Sequence, residues 1–208
     1  MKYIKIRADF KYAKRGRFFR TVLVREDATM EELGEFLIEM FGGTFEHMFL
    51  FIKEKERIEY VHPSWMEEDS FGFYKQYSYR DRPFTELGDS FVLCYDTGDG
   101  WDFKCKVYQT TKDIPFDDEE DICFGFVLNG AGMGIWEDNI RSLMAYLDGE
   151  IPEDFSGEDE ENCIYKPWNF DIEKYSEFDN PIDIEDLNEM AKSFVPMLKI
   201  MEDDEEIM

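Results

Sequence analysis

Apolar and polar positions alternate over Tyr3–Ala8 and again over Arg17–Arg25, with the polar, glycine-containing KYAKRG between them. That pattern predicts an antiparallel hairpin. The period then changes: Met30, Leu33, Phe36, Leu37, Met40 and Phe41 recur at helical spacing, Thr29 and Glu32 form a capping box, and Gly42-Gly43 stops the run. The apolar stripe of this helix is broad enough to be buried against a sheet. His47–Glu54 and Arg57–Val61 predict a second strand pair around a charged turn. His62–Arg82 reads as irregular, and its Trp65, Phe71, Phe73, Tyr74, Tyr77 and Tyr79 belong either over the core or at a binding surface.

Phe91–Asp96 and Asp102–Thr110 flank YDTGDGWDF as two strands, the second with Phe103, Cys105 and Val107 on one face and Asp102, Lys104, Lys106 and Tyr108 on the other. Ile122–Leu128 is a short apolar strand and NGAGMG at 129–134 a loop. A helix follows with Ile140, Leu143, Met144 and Leu147 inward. Residues 150–169 are acidic and loop-like, and a last helix starts near Asp183, with Pro196 bending or ending it. The EDDEE run at 202–206 is a solvated tail.

Composition adds charge to this picture. The 208 residues are 43% hydrophobic and 17% aromatic, enough for a core, yet carry a net charge of −26. Residues 1–112 hold 18 basic against 20 acidic groups, whereas residues 113–208 hold 5 against 29. The acidity is a property of the second half, which suits a basic partner. Residues 1–25 are the opposite, with nine Lys/Arg and Asp9 as their one acid. The whole molecule should be repelled by nucleic-acid phosphates and anionic membranes, so direct nucleic-acid binding is disfavoured, although the N-terminal hairpin keeps a local basic patch. No apolar run approaches the ~18 residues of a membrane span. Cys94, Cys105, Cys123 and Cys163 form no CxxC pair, and the N-terminus lacks an apolar signal core, which together imply a reduced cytoplasmic protein with free thiols.

Candidate chemistry is sparse. YDTGDGWDF fails as an EF-hand, because counting from Asp96 puts Gly98, Gly100 and Val107 where oxygen ligands belong. It fails as a phosphate loop for want of a Lys-Ser/Thr ending and a following helix. It reads as a hairpin turn, with Gly98 and Gly100 supplying positive φ and Asp96 and Asp99 bonding local backbone. The other reading is a carboxylate cluster of Asp96, Asp99 and Asp102 that could hold a divalent metal. In NGAGMG the third glycine of a dinucleotide fingerprint falls on Ile135, and Trp136, Glu137 and Asp138 put bulk and negative charge where phosphate would sit, so a mobile or structural loop is expected. The two histidines, His47 and His62, have no partner at catalytic spacing, which argues against a nucleophilic triad.

The order of these motifs resembles the plasmid pRiA4b ORF-3-like family, often labelled insertion-element passenger proteins. The resemblance rests on FRTVLVREDATMEELGEFL, FEHMFLF, LGDSFVLCYDTGDGWDF, the NG-rich loop before a helix, and FDIEKYSEFDNPIDIEDLNEM, and its most specific part runs from Leu87 to Trp101. It implies an α+β fold: a mostly antiparallel sheet packed by about three helices, one domain over residues 1–201, with 202–208 as an acidic tail. Its implied function is largely unknown. Where the family pattern reads roughly YDFGDxWxH this chain has Thr97 and Phe103, and Phe49 replaces the second histidine of an earlier pair, leaving His47. Glu137-Asp138 keeps an acidic pair, with Ile135-Trp136 in place of prolines. If relatives bind metal through those histidines with Asp99 and Glu137, most nitrogen ligands are gone here.

The resulting expectation leans away from an enzyme. It is a binding or regulatory protein whose acidic half meets a basic partner, with Trp65, Tyr74, Tyr77, Asp96, Asp99, Trp101 and Trp136 as candidate contacts and no cofactor. The alternative is a metal-dependent hydrolase or nuclease using Asp96, Asp99, Asp102 and Glu137. A third is nucleic-acid binding through the basic N-terminal hairpin.

Overall fold

Alternation makes the strands, and in one place it carries a charge into the core. In β1 (Tyr3–Phe10), Ile4, Ile6 and Ala8 face inward, and their partners Val24, Val22 and Arg20 place those residues of β2 (Phe19–Arg25) on the same face. The remaining strands are β3 (Phe49–Lys53), β4 (Ile58–Val61), β5 (Lys75–Ser78), β6 (Ser90–Tyr95), β7 (Trp101–Thr111) and β8 (Gly125–Ala131). They form an eight-stranded sheet of order β5-β4-β3-β6-β7-β1-β2-β8. These pairings come from a computed structural model that describes residues 1–66, 73–111, 123–135, 137, 140–148 and 182–197. Neighbours are antiparallel except β4 and β5, which run parallel.

Two strands depart from the expected boundaries. Lys75–Ser78 lies in the stretch read as irregular, because KQYS shows little apolar alternation; it is recruited by β4, and Tyr77 packs on Tyr60 with ring centroids 5.9 Å apart. β8 continues through Asn129–Ala131, so the first half of NGAGMG is strand, paired with β2 across a register shift at Thr21/Val22. Ladder bonding there outweighs the poor strand propensity of Asn and Gly.

Helix α1 (Met30–Met40) begins as the capping box requires: the Thr29 side chain accepts from Glu32 N, and Glu32 accepts from Thr29 N. It is buried on more than the expected stripe, Glu31 and Glu35 included. One side packs on the sheet, where Gly34 lies so close to Phe49 that a Cβ would overlap the ring. Over the other, Phe194 meets Phe36 at 5.3 Å and Met197 N donates to Glu35.

Helix α3 (Ile184–Ser193) is capped by Asp183 and ends before Pro196, as expected. Its Asn188 takes the place of a neighbouring strand at the sheet edge, with Oδ1 accepting from Val127 N at 2.8 Å and Nδ2 donating to Val127 O at 3.0 Å. That contact occupies edge groups that would otherwise invite another strand. The helical layer is thinner than the expected three packing helices: α1 and α3 pack together, and α2 (Ile140–Asp148) is a short helix burying Ile140, Leu143 and Leu147. Among the described residues no helix is long and apolar enough to cross a membrane.

Candidate functional site

The hairpin YDTGDGWDF closes on its first aspartate. Asp96 takes a left-handed conformation (φ 50°), tolerable for Asp, and its Oδ1 accepts from Gly98 N at 3.1 Å and Asp99 N at 3.2 Å. Gly100 (φ 82°) donates its amide to Asp96 O. The turn therefore uses positive φ at Asp96 and Gly100, and not at Gly98 as expected.

The turn also buries Asp96 and aims its second oxygen at another segment. Asp96 N bonds Met48 O, which seats the turn beside the start of β3, and Oδ2 lies 3.7 Å from His47 Nε2. Glu137 reaches the same point, its Oε2 being 3.9 Å from His47 Nε2. Its other oxygen, Oε1, accepts from Tyr95 OH (2.8 Å), Thr44 N (2.9 Å) and Thr44 Oγ1 (3.2 Å). Burial pushes the Tyr95 phenol well above its ordinary value, and the adjacent Glu137 adds to the rise, so the hydroxyl stays a donor. Phe45, between Thr44 and His47, also has a left-handed φ of 62°, a costly conformation for an aromatic residue.

Three chain segments thus meet in one half-buried corner: Thr44–His47, Tyr95–Asp99 and Glu137. The sequence points to Asp96, Asp99 and Glu137, but gives His47 no partner. The register Phe49↔Tyr95 is what brings His47 to Asp96, and only an expected β3–β6 pairing could have signalled it.

The other named residues divide. Asp102 does not join the corner: it pairs with Lys11 at 2.7 Å and accepts from Tyr12, on the sheet face that carries Lys104 and Lys106. Alternation along β7 forces this, since Trp101 and Phe103 point inward. Trp101 is fully buried against Phe10, so it is no surface contact, and its Nε1 has no hydrogen-bond partner among the described residues. Phe103 stacks on Phe41 with centroids 4.2 Å apart and is core. Trp65 is 36% exposed, while Tyr74 and Tyr77 are half-buried, with Arg82 and Lys75 over the Tyr77 ring. Trp136, Cys163 and the acidic runs at 117–121, 150–169 and 202–206 lie outside the described residues.

The four expected metal ligands do not assemble, and among the described residues no group of three or more His, Cys, Asp or Glu side chains can hold a metal. Among the described residues Cys94, Cys105 and Cys123 are buried, and burial pushes the first two thiols well up. Part of the basic hairpin is compensated, with Lys2 near Glu26, Arg7 on Asp9, Lys11 on Asp102 and Arg25 on Asp27. Arg20, counted with that ribbon, is buried and donates to the carbonyls of Phe19, Met40, Ala131 and Gly132. It binds NGAGMG to the end of α1. Gly134 and Ile135 also press on Phe41 O, which makes the loop structural.

A mostly antiparallel mixed sheet with a carboxylate–histidine corner defines a mixed α/β protein. The chain belongs to the plasmid pRiA4b ORF-3-like protein family, whose model matches residues 2–176, a family of unknown function. It is similar to a solved structure described as a protein of unknown function, MM3350 from Methanosarcina mazei Go1. The TM-score is 0.53 at 16% identity, over 83% of this chain and 97% of that one. At that identity the likeness concerns the fold alone. No curated protein matches the chain.

Proposed function

We propose that this is a non-enzymatic binding protein that meets a basic partner through its acidic groups. The observation that carries the reading is the corner, where hydrogen bonds hold Asp96 and Glu137 with their second oxygens 3.7 and 3.9 Å from His47 Nε2. A partner's lysine or arginine would take the place of His47 between carboxylates that are already held, at little ordering cost. The left-handed Phe45 and Asp96 beside them are consistent with a conformation kept for use. The charge of the second half, 5 basic against 29 acidic groups, would steer such a partner in. The compensated cations of the N-terminal hairpin argue for a basic protein over a nucleic acid as the partner.

A pull-down at low and moderate salt tests it, comparing wild type with the Asp96→Asn/Glu137→Gln double variant. The expected result is a basic protein retained at low salt, released at moderate salt and lost in the variant. Capture that ignores both salt and variant contradicts the proposal. The metal-dependent alternative is tested by thermal shift with Mg²⁺, Mn²⁺ and Ca²⁺: saturable stabilisation abolished by Asp96→Asn would favour it, and a flat response removes it.

A further inference from the structure

A second feature lies on the outer face of the sheet, at the β3–β4–β5 edge. The register Glu59↔Gln76 places these two side chains together, and Gln76 Nε2 donates to Glu59 Oε2 at 3.2 Å. Val61 follows Glu59 on the same face, opposite the inward Tyr60. The turn Pro63–Trp65 then swings Trp65 and Met66 over these strands. The result is a surface cavity of about 500 Å³, a size that suits a single side chain or small ligand, lined by Leu50, Glu59, Val61, Trp65, Met66 and Gln76. Thr97, the residue after Asp96, also lines it, which joins the cavity to the hairpin turn.

Its chemistry is asymmetric. Among the described residues the lining holds a carboxylate and an exposed tryptophan but no Lys, Arg or His. Gln76 Oε1 is buried and has no hydrogen-bond partner among the described residues, and the bond to Glu59 fixes which end of the amide is oxygen. An unsatisfied buried acceptor is costly, and a donor entering beside it removes the deficit. Leu50 and Val61 offer an apolar floor for a methylene stem, Trp65 a π face, and Glu59 a negative charge.

We infer that this cavity receives a lysine or arginine side chain of the basic partner. The inference rests on the proposed function and gives one of the partner's cations a specific seat, separate from the Asp96–Glu137 corner. A neutral apolar side chain would fill the floor but bring no donor to Gln76 Oε1 and no positive charge to Glu59.

The test uses the full chain with ¹⁵N-labelled indoles. Nα-acetyl-lysine methylamide and Nα-acetyl-arginine methylamide are titrated while the Trp65 indole resonance is followed, assigned through Trp65→Phe, with the norleucine amide as neutral isostere. The expected result is a saturable shift with the two cationic amides, no saturable shift with norleucine, and affinity about fivefold weaker in Glu59→Gln, the loss of roughly one exposed cation contact. Unchanged positions of the other indole resonances in Glu59→Gln report that the fold is intact. No saturable shift, an equal response to norleucine, or undiminished affinity in Glu59→Gln overturns the inference. If the amides fail while wild type still captures a salt-sensitive basic protein that the corner variant loses, the cavity is wrong and the proposed function stands. If the amides bind and no basic protein is captured, the reverse holds.

Discussion

Arg20 shows how a single residue can be misread from its type and read correctly from its phase. In FRTVLVR it shares the parity of Val22 and Val24 and lies on the same face of the sheet, whereas composition groups it with a basic ribbon. Burial lowers its pKa to about 10, still high enough for charge near neutrality, and four carbonyls satisfy it. Arg20→Met should cost about 2–5 kcal/mol in urea unfolding, because it strands those carbonyls; a loss within about 0.5 kcal/mol would show that they find other donors.

Glu35 makes a pH-dependent case. Burial raises its pKa from 4.5 to about 7, only partly opposed by the bond from Met197 N, with Glu31, Glu32 and Glu39 adding to the rise. The folded protein therefore binds more protons than the unfolded chain between those values. Its contribution is most favourable below 4.5 and declines as pH rises through about 7. Glu35→Gln, which keeps an acceptor for Met197, should thus stabilise by about 1–3 kcal/mol at pH 8 and by much less at pH 5. Thermal melts at the two pH values check this; equal effects at both would contradict it.

At the scale of elements, the strongly periodic parts were legible and the weakly patterned ones were not. The β1–β2 hairpin, the Thr29–Glu32 cap and the Asp183 start of α3 follow from local signals that act over a few residues. β5 and the end of β8 depend on a partner strand, which no local pattern encodes. Gly34 is a similar case, since a mid-helix glycine looks like a weakness until Phe49 is placed against it. Gly34→Ala gains up to about 1 kcal/mol of helix propensity but must displace the ring, at about 1–3 kcal/mol, so net destabilisation is expected. Thr29→Ala should cost about 1 kcal/mol through loss of the cap. Chemical denaturation of both variants tests the pair; stabilisation by Gly34→Ala would mean that Phe49 moves aside freely.

At the scale of the whole molecule, charge was readable early and its use was not. The sequence contained Asp96, Glu137 and His47, 90 residues apart at the extremes of the set; the β3–β6 pairing brings His47 to Asp96, and the loop whose Ile135 N donates to Phe41 O carries Glu137 to Thr44. The same order separates Asp102, which alternation sends to the other face, and buries Trp101 and Phe103 where a surface contact and a ligand position were expected. What remains is a protein whose acidic groups include two that are held in place. The most direct measurement is a fluorescence-anisotropy titration of a Lys/Arg-rich peptide against wild type and the Asp96→Asn/Glu137→Gln variant at low and moderate salt. Both substitutions keep the acceptor oxygens that build the turn and bind Tyr95 and Thr44, and they remove little of the total charge of −26. Saturable, salt-sensitive binding that weakens about tenfold in the variant is the predicted result. Equal binding by the two proteins would assign any affinity to bulk charge and contradict a role for the corner.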